Sequence, residues 1–559
     1  MLQNVGLCNE CNARVPCEYV KRDGTVWIRK TCPEHGVTEA LVSTDAKAWQ
    51  EKRDMWPYVT EEPKVCTLQC TQCKHNHKPN IAFIDLTNHC NMHCPICIAT
   101  IRGMGFDYNP PLSYFEMLFQ HISQWNPKPT VQLFGGEPTV REDLFEIIDL
   151  VRKYGMRPNV TTNGLKLADE EYCKKFCEAR IGVRFSFDGF SPDIYEKLRH
   201  NAPAYHKKVK GLENLKKHTR RKQTIISCIA RGINDGERLA ELIQYCHDNR
   251  DWVNELALIP LADTWDPKEF DISTAHANTL ESIEHAVMEV VGNDEVEYVP
   301  AGLSYALRLP RKFLRSNPRS EVLLLAGVHP NCESMTVLVS DGKRYRGINH
   351  YLKVPFKKAM KEFMELCAKI EPKLKKLDPD KPWQRFKGKV LVFRTLIGWG
   401  LRSVSLLKAT NYNPPWALLK ACTSGLRNKI AKMFHKGDKP WRRRRRLLRV
   451  AMLPFEEQHS VDACRLENCK AVFPYEDTDT GQIETIPTCM WPPYRDEVLR
   501  KVSQKYGVVD KEGNVKPAKF FKPEVKPAGV PYKPSVTQEN GQYKPETEDS
   551  ASEQAAPKA

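Results

Sequence analysis

No uncharged run of apolar residues in this sequence reaches the roughly eighteen residues that a membrane-spanning helix needs. The N-terminus also lacks the charged start and apolar stretch of a secretory signal peptide. These two absences argue against an integral membrane protein and against a secreted one. We therefore expect a cytoplasmic protein that is either soluble or peripheral to the inner face of the membrane.

Disulfides are not expected either, although the chain of 559 residues contains 20 cysteines. Many of them stand in C-x2-C or C-x3-C-x2-C sets, which in a reducing cytosol are typical of metal sites. Acidic residues are fewer than basic ones: 69 Asp and Glu against 85 Lys and Arg give a net charge of +16. This excess favours an anionic partner such as phospholipid headgroups, nucleic acid or a phosphorylated substrate.

The central cysteine motif lacks a fourth cysteine. Cys90, Cys94 and Cys97 follow directly after an apolar run at residues 81–86. Three thiolates from one loop can hold three corners of an iron–sulfur cubane and leave its fourth iron free for a small molecule. The alternative is a structural zinc knuckle, although zinc sites normally use four ligands in paired sets.

A small metal-binding module is predicted at the N-terminus. Cys8 and Cys11 precede a hairpin-like segment at residues 18–29, and Cys32 and His35 follow it. Three thiolates and one imidazole suit one tetrahedral ion, with zinc as the default and a rubredoxin-like iron as the alternative. Cys17 fits no such spacing and is interpreted as a spare thiol.

A second C-x3-C-x2-C set follows this module, formed by Cys66, Cys70 and Cys73. It suggests an auxiliary iron–sulfur cluster beside the first, because two such sets are not expected to share one cluster. The fourth ligand is open between a distant cysteine, His75, His77 and none. Zinc with one of these histidines remains the alternative.

Residues 81–261 alternate between short β-rich runs and helical stretches. Six strands separated by helices imply a parallel sheet with right-handed crossovers, curved into a partial barrel whose carboxyl-end loops build the active site. Glycines and polar residues fill these loops; glycines permit close backbone approach, and Glu137 can pair with an ammonium group. The predicted strands are residues 81–86, 131–134, 158–161, 182–187, 224–229 and 255–260.

Together these motifs resemble those of radical S-adenosylmethionine (SAM) enzymes. In that family a three-cysteine loop holds a [4Fe–4S] cluster, whose open iron chelates SAM and whose electron cleaves it to a 5'-deoxyadenosyl radical. The resemblance assigns this cluster to Cys90, Cys94 and Cys97 and places residues 231–235 near the adenine. It implies these contacts with SAM: Gly135, Gly136, Glu137, Asn163, Ser186 and Asp188.

The order of motifs over residues 7–490 is similar to one branch of that family, which includes the archaeal tetraether lipid synthase and relatives first described as pterin methyltransferases. In the tetraether synthase, radicals abstract hydrogen from lipid chain ends, and two chains are joined by a carbon–carbon bond. The resemblance implies SAM, auxiliary [4Fe–4S] clusters, an iron or zinc ion in the ribbon, and a reductant such as ferredoxin or flavodoxin. The loop around Cys464 and an arginine run at residues 442–446 do not match this branch, which leaves the substrate open.

The second half of the chain is predicted to be mainly helical, with a strand pair at residues 335–348 and a hairpin before Cys489. Its scattered cysteines are enough for a third cluster, although unligated thiols are the alternative; they are Cys332, Cys464, Cys469 and Cys489. Residues 389–408 are apolar with basic flanks, which suits an interfacial helix or the wall of an apolar substrate tunnel. Four further cysteines are interpreted as core residues: Cys173, Cys177, Cys228 and Cys246.

The predicted fold class is therefore α/β: a partial (β/α)6 radical SAM barrel, an N-terminal rubredoxin- or zinc-ribbon-like module and a mainly helical α+β C-terminal region. The predicted divisions are residues 1–60, 61–80, 81–265, 266–505 and a disordered tail at 506–559. The expected function is C–H activation on a lipid-type substrate. The alternatives are methylation or modification of a small heterocycle or peptide, and a non-catalytic metal-stapled protein bound to nucleic acid, which is the less favoured partner.

Overall fold

The structure is a computed structural model. It describes residues 4–56, 66–70, 79–99, 101–262, 278–314, 325–410, 447–455 and 457–522, and the backbone of 536–539 and 542–545.

The N-terminal module is a four-stranded antiparallel sheet followed by one helix. The predicted hairpin is confirmed, since the chain turns at Asp23 and Gly24, both with positive φ (48° and 74°). Lys52 ties the helix to the rest of the protein through buried ion pairs with Glu281 (2.9 Å) and Glu284 (2.7 Å). The elements are β1 (Val5–Leu7), β2 (Arg14–Arg22), β3 (Thr25–Cys32), β4 (Gly36–Ser43) and α1 (Ala46–Asp54).

Six parallel strands in chain order form the centre of a larger sheet, as predicted. Their inner residues line a cavity and their outer residues pack against helices, which is why these segments are rich in β-branched and apolar residues. The strands are β5 (Ile81–Asp85), β6 (Thr130–Phe134), β7 (Arg157–Thr162), β8 (Gly182–Ser186), β9 (Gln223–Ile229) and β10 (Val253–Pro260).

Helices cover the outside of these strands. In α3 the residues at core-facing spacing, Leu144, Ile147, Ile148 and Val151, are fully buried, and each contributes about 1.5–3 kcal/mol of burial free energy. The helices are α2 (Leu112–Ile122), α3 (Leu144–Lys153), α4 (Glu170–Glu178), α5 (Pro192–Arg199), α6 (Ala204–His218) and α7 (Gly236–Asp248).

Strands from the second half of the chain extend the barrel sheet at both edges. β14 runs parallel beside β10, and β15 runs parallel beside β5. The predicted boundary at residue 265 is therefore not a break in the sheet. These strands, which include the predicted strand pair and hairpin, are β11 (Val299–Pro300), β12 (Ser334–Ser340), β13 (Tyr345–Gly347), β14 (Leu447–Met452), β15 (Ala471–Asp477) and β16 (Gln482–Pro487).

Three of the later helices, α9 to α11, share a small apolar cluster that includes Phe313, Leu374 and Val392. No helix in the described ranges is long and apolar enough to cross a membrane. The helices are α8 (Leu280–Val291), α9 (Arg308–Leu314), α10 (Phe356–Lys375), α11 (Pro382–Ser403), α12 (Leu406–Thr410), α13 (Ala463–Glu467) and α14 (Trp491–Tyr506). Short 3₁₀ turns occur at Ile101–Gly103, Pro138–Val140, Lys166–Ala168, Ala301–Leu307, Ile348–Tyr351 and Thr488–Met490.

The beginning of the predicted disordered tail is ordered. Its first hairpin docks on the barrel, where the Val509 N–H donates to the Asn109 carbonyl (2.8 Å) and Phe520 pairs with Phe106. The sequence did not indicate this because the hairpin depends on contacts some 400 residues away along the chain. The strands are β17 (Val508–Val509), β18 (Val515–Lys516), β19 (Val536–Glu539) and β20 (Gln542–Pro545).

Candidate active site

A cavity of about 1610 Å³ occupies the inside of the barrel. It is larger than the roughly 300–1,000 Å³ of ordinary small-molecule sites. The carboxyl end of the cavity brings together most of the predicted site residues. Those that line it are Cys90, Cys94, Cys97, Gly135, Gly136, Glu137, Asn163, Ser186, Cys332, Cys469 and Cys489.

The cysteine loop follows β5 and is anchored by Asn88, which donates to the Phe106 carbonyl (2.6 Å) and accepts from the Tyr108 N–H (2.9 Å). Burial, and then the nearby charges of Glu137 and Cys97, raise the pKa of the Cys90 thiol. The three sulfurs thus face one space. They are not among the described groups whose ligand atoms all lie within 4.8 Å of one another.

Gly135 and Gly136 form the seat of the cysteine loop. The Gly136 N–H donates to the Thr87 carbonyl (2.7 Å), and the Glu137 N–H donates to the His89 carbonyl (2.9 Å). A Cβ on Gly135 would lie 2.7 Å from the Thr87 oxygen, and one on Gly136 would lie 2.2 Å from the His89 oxygen. The sequence predicted a close backbone approach at these glycines, and in the structure the backbone that they approach is that of the cysteine loop.

Glu137 is buried and connects the loops after β6 and β7. Its Oε1 accepts from the Thr139 and Thr162 hydroxyls (2.6 and 2.7 Å) and from the Thr139 N–H (3.1 Å). Its Oε2 accepts from the Asn163 N–H (2.7 Å). Because a carboxylate oxygen has two acceptor sites, Oε2 can still accept a bond from an ammonium group in the cavity.

Asn163 lies against the cysteine loop, where its Nδ2 donates to Asn91 Oδ1 (2.7 Å) and lies 4.0 Å from Cys90 Sγ. Lys208 lies behind it, donating to the carbonyls of Asn163 (2.7 Å) and Ser186 (2.8 Å). Burial lowers the pKa of Lys208 to about 8. The sequence analysis missed this residue; the available signal was a lysine at a core-facing position of α6.

Asp188 is placed differently from the prediction. It does not line the cavity in the described structure; its carboxylate accepts from Arg199 Nε (2.9 Å) and Nη2 (3.1 Å) and from the Cys228 N–H (3.1 Å). Burial raises the pKa of Asp188, but the Arg199 charge outweighs this and holds it below the ordinary value. Arg199, which the sequence analysis did not single out, does line the cavity. The geometry thus places a guanidinium where the sequence predicted a carboxylate.

The loop at residues 231–235 also differs from its predicted role, since none of its residues lines the cavity. Asn234 instead donates to the carbonyls of Asp188 (3.0 Å) and Cys228 (2.8 Å), which joins the ends of β8 and β9. Cys228 lines the cavity, whereas Cys173 and Cys246 are fully buried as predicted. Cys228 also packs against the hydrophobic core as a partly buried residue, so its interpretation as a core residue holds in part, with one side open to the cavity.

The N-terminal module assembles the predicted tetrahedral set. The ligand atoms of Cys8, Cys11, Cys32 and His35 all lie within 4.8 Å of one another. His35 Nδ1 lies 3.5 Å from Cys32 Sγ and 3.8 Å from Cys8 Sγ. Three sulfurs and one imidazole nitrogen at these separations fit one small ion in tetrahedral coordination.

The remaining cysteines divide into two places. Burial raises the pKa of the Cys70 thiol, and the charges of Cys66 and Cys469 raise it further. These three residues are therefore neighbours. Cys469 also lines the cavity with Cys332 and Cys489. Cys73, His75 and His77 lie outside the described residues.

Cys464 departs from the predicted third cluster. It is buried, its N–H donates to Asn4 Oδ1 (3.2 Å), and its charge acts on Cys17. It does not line the cavity that contains Cys332, Cys469 and Cys489. Its sequence proximity to Cys469 did not bring it to the same site, because α13 turns it toward the ribbon.

Residues 389–408 lie mainly in α11, and none of the described residues of this helix lines the cavity. The tunnel-wall interpretation is therefore wrong. Trp399 faces α10, where its Nε1 donates to the Ala359 carbonyl (2.8 Å) and its ring packs on Phe363. The arginine run at residues 442–446 lies outside the described residues.

Comparisons with known families agree with this geometry. The Radical SAM superfamily profile matches residues 84–245, and the HMPTM N-terminal zinc ribbon domain matches residues 4–44. The chain therefore contains a radical SAM domain preceded by a zinc ribbon. A radical SAM domain uses a [4Fe–4S] cluster and SAM, and the ribbon supplies a metal site.

Individual relatives carry different activities in their names. The 7,8-dihydro-6-hydroxymethylpterin dimethyltransferase of Methanocaldococcus jannaschii is 33% identical over 276 residues, which are 47% of this chain and 53% of that protein. The Fe-coproporphyrin III synthase of Methanosarcina barkeri is 31% identical over 144 residues, 26% of this chain and 35% of that protein. The matches thus span about half the length of these relatives or less.

Among solved structures, SuiB of Streptococcus suis bound to S-adenosylmethionine overlaps with 38% of this chain and 47% of that chain. The sequence identity is 16% and the TM-score 0.30. An overlap of this extent carries no conclusion about function.

Proposed function

We propose that this chain is a radical SAM enzyme that abstracts hydrogen from an unactivated carbon of a lipid-type substrate and forms a carbon–carbon bond or alkylates that carbon. A [4Fe–4S] cluster with bound SAM supplies a 5'-deoxyadenosyl radical for such a step. Cys90, Cys94 and Cys97 would hold the cluster. Glu137 Oε2 would accept from the SAM amine, and Arg199 would face the SAM carboxylate.

The observation that carries this proposal is the length of the cavity. It reaches from the cysteine loop at the carboxyl ends of the strands to residues at their amino ends, such as Ile81 and Thr130. Between these ends it is lined by apolar side chains, including Phe83 and Ile226, and also by charged ones, including Arg184 and the ion pair of Glu255 with Arg449. Such a channel can hold an extended alkyl chain with one carbon near the radical site, because burial of each CH₂ contributes about 0.8 kcal/mol.

The test is transfer of deuterium from a perdeuterated alkyl substrate into 5'-deoxyadenosine, using anaerobically reconstituted protein with SAM and dithionite. We expect label from the alkyl chain. Ile226→Trp, which narrows the channel at the middle of β9, should abolish this transfer while 5'-deoxyadenosine formation without substrate continues. Unlabelled 5'-deoxyadenosine with every alkyl substrate tested would contradict the lipid assignment.

Methylation of a small heterocycle is the second candidate, and the pterin dimethyltransferase relative favours it. The same reconstituted protein would then transfer a methyl group from SAM to 7,8-dihydro-6-hydroxymethylpterin. Ile226→Trp should affect that small substrate little, because it does not need the full channel. Mass spectrometry of the pterin and of the alkyl substrate in parallel separates the two candidates.

We also propose that α11 lies on an anionic membrane surface. An exposed apolar stripe follows one face of this helix at three- and four-residue spacing. The helix also contains several basic residues, and its sequence contains no acidic residue. The stripe comprises Trp383 (65% exposed), Phe386, Val390, Phe393, Ile397 (52% exposed) and Leu401. The basic residues are Arg385, Lys387, Lys389, Arg394 and Arg402.

Sedimentation with vesicles tests this contact. Binding should be stronger to phosphatidylglycerol-containing vesicles than to pure phosphatidylcholine and should fall with salt. Trp383→Ser/Phe386→Ser/Phe393→Ser should weaken it about tenfold or more, since three large apolar side chains are lost from the interface. Val37→Ser removes an equally exposed apolar residue on the ribbon and should have no effect; equal loss in both variants would contradict the proposal.

A further inference from the structure

Arginines converge on the end of the cavity opposite the cysteine loop. Arg157 begins β7, while Arg180 and Arg221 stand just before β8 and β9. The amino ends of parallel strands lie at one edge of a sheet, so these residues share one opening. We call this the arginine cluster; it consists of the cavity-lining residues Arg152, Arg157, Arg180, Arg221 and Arg311.

These guanidinium groups are close enough to act on one another. Burial, and then the charges of Arg157 and Arg152, lower the pKa of Arg221. Burial and the charge of Arg157 likewise lower the pKa of Arg311. Like charges held together around an opening favour an anion that neutralises them.

Carboxylates near the cluster are few. Asp149 pairs with Arg152 at 3.0 Å on the exposed side. In the part of the chain that the structure describes, no carboxylate forms an ion pair with Arg157, Arg180, Arg221 or Arg311. Arg221 donates to the Arg180 carbonyl (2.5 Å), which fixes one guanidinium without neutralising it.

We propose that the arginine cluster binds a phosphate-class anionic group, and that this group is the head of a substrate whose apolar part extends through the barrel to the cysteine loop. The second half of this inference rests on the proposed function, whereas the anion site does not. Arginine suits this role because its planar fork donates two parallel hydrogen bonds to phosphate oxygens. The head would thereby set which carbon of the chain lies near the radical site.

The cluster also lies next to the helical layer that carries α11. Arg311 is on α9, and Phe313 of the same helix packs in one apolar cluster with Val392 of α11. The arginine cluster is therefore connected to α11 through one intervening helix, α9.

Equilibrium binding to the full-length reconstituted protein tests the site, with dodecyl phosphate, dodecanol and inorganic phosphate as probes. Wild-type protein should bind dodecyl phosphate about tenfold or more tightly than dodecanol, as charge-assisted hydrogen bonds predict. Arg157→Gln/Arg221→Gln should remove this difference, and thermal melting verifies that the double variant folds. Arg220→Gln, the exposed neighbour outside the cavity, should leave it unchanged.

Two outcomes overturn the inference. Equal affinity for dodecyl phosphate and dodecanol, or equal loss in Arg220→Gln, would show that the cluster does not bind the head. If inorganic phosphate bound as tightly as dodecyl phosphate, the cluster would be a site for free anions, and the proposal of an amphiphilic substrate would be rejected. Deuterium transfer separates the two proposals: tight binding without transfer defeats the proposed function alone, and transfer with unchanged binding in the double variant defeats the anion site alone.

Discussion

At the carboxyl ends of the barrel strands, site residues come in short motifs whose backbones contact one another, as Gly136 contacts Thr87 and Glu137 contacts His89. At the amino ends, the arginine cluster comes from four separate stretches of chain, residues 152–157, Arg180, Arg221 and Arg311, and is held by few mutual contacts. The first arrangement has little tolerance for change, because a cluster and SAM require fixed geometry. The second tolerates substitution, because long side chains can adjust around a head group.

Removal of the three central cysteines should have the largest effect, and this effect should be confined to the carboxyl end of the barrel. Cys90→Ala/Cys94→Ala/Cys97→Ala should reduce 5'-deoxyadenosine formation below detection, because no thiolates remain for the cluster. Metal in the ribbon and dodecyl phosphate binding should persist, as measured by metal analysis and equilibrium binding. Cys367→Ala, a buried cysteine on α10, is the control and should retain activity.

Gly136→Ala should damage the carboxyl end through packing alone. Its Cβ would lie 2.2 Å from the His89 carbonyl oxygen, so the cysteine loop must move. We expect a loss of about 1–3 kcal/mol in unfolding free energy and a lower iron and sulfide content. Gly400→Ala, with no atom within 4 Å of the added Cβ, should instead be neutral or gain about 0.5–1 kcal/mol. Normal iron content in Gly136→Ala would refute the role of this glycine in positioning the cysteine loop.

Asp188→Asn tests whether Arg199 needs its bidentate partner. Without the carboxylate, Arg199 is no longer fixed toward the cavity, and SAM affinity should fall about tenfold. Equilibrium dialysis with SAM measures this, while dodecyl phosphate binding should not change. Asp193→Asn removes a partly exposed carboxylate that pairs with Arg238 and serves as the control. Unchanged SAM affinity in Asp188→Asn would remove Arg199 from the proposed SAM site.

Lys208 should affect neither end of the cavity directly, and its effect should be visible only in the pH dependence of stability. Its pKa of about 8 in the folded protein lies below the ordinary value of 10.5, so the unfolded chain binds more protons between these values. The unfolding free energy should therefore rise from pH 8 to 10.5, by on the order of 3 kcal/mol relative to Lys208→Met. Urea unfolding measures this difference. Lys210→Met, an exposed lysine on the same helix, should keep the wild-type slope.

Local patterns predicted much of the fold. The six barrel strands, the ribbon hairpin and the strand pair after Cys332 are confirmed, because alternating apolar residues and turn residues encode them within short windows. The docked hairpin at residues 508–516 was missed, since its stability comes from contacts with residues 105–109. The cavity-facing positions of Arg199 and Cys228 were missed for the same reason.

The sequence by itself determined two local sets of candidate ligands. Three cysteines fall within eight residues in the loop after β5, and the four ribbon ligands are brought together within one small module. Only the tertiary structure decided that β14 and β15 continue the barrel, that Cys464 and Cys469 lie in different places, and that α11 exposes its apolar face. It alone gathered the arginine cluster. Such arrangements depend on which distant segments pack together, and no short window of sequence contains that information.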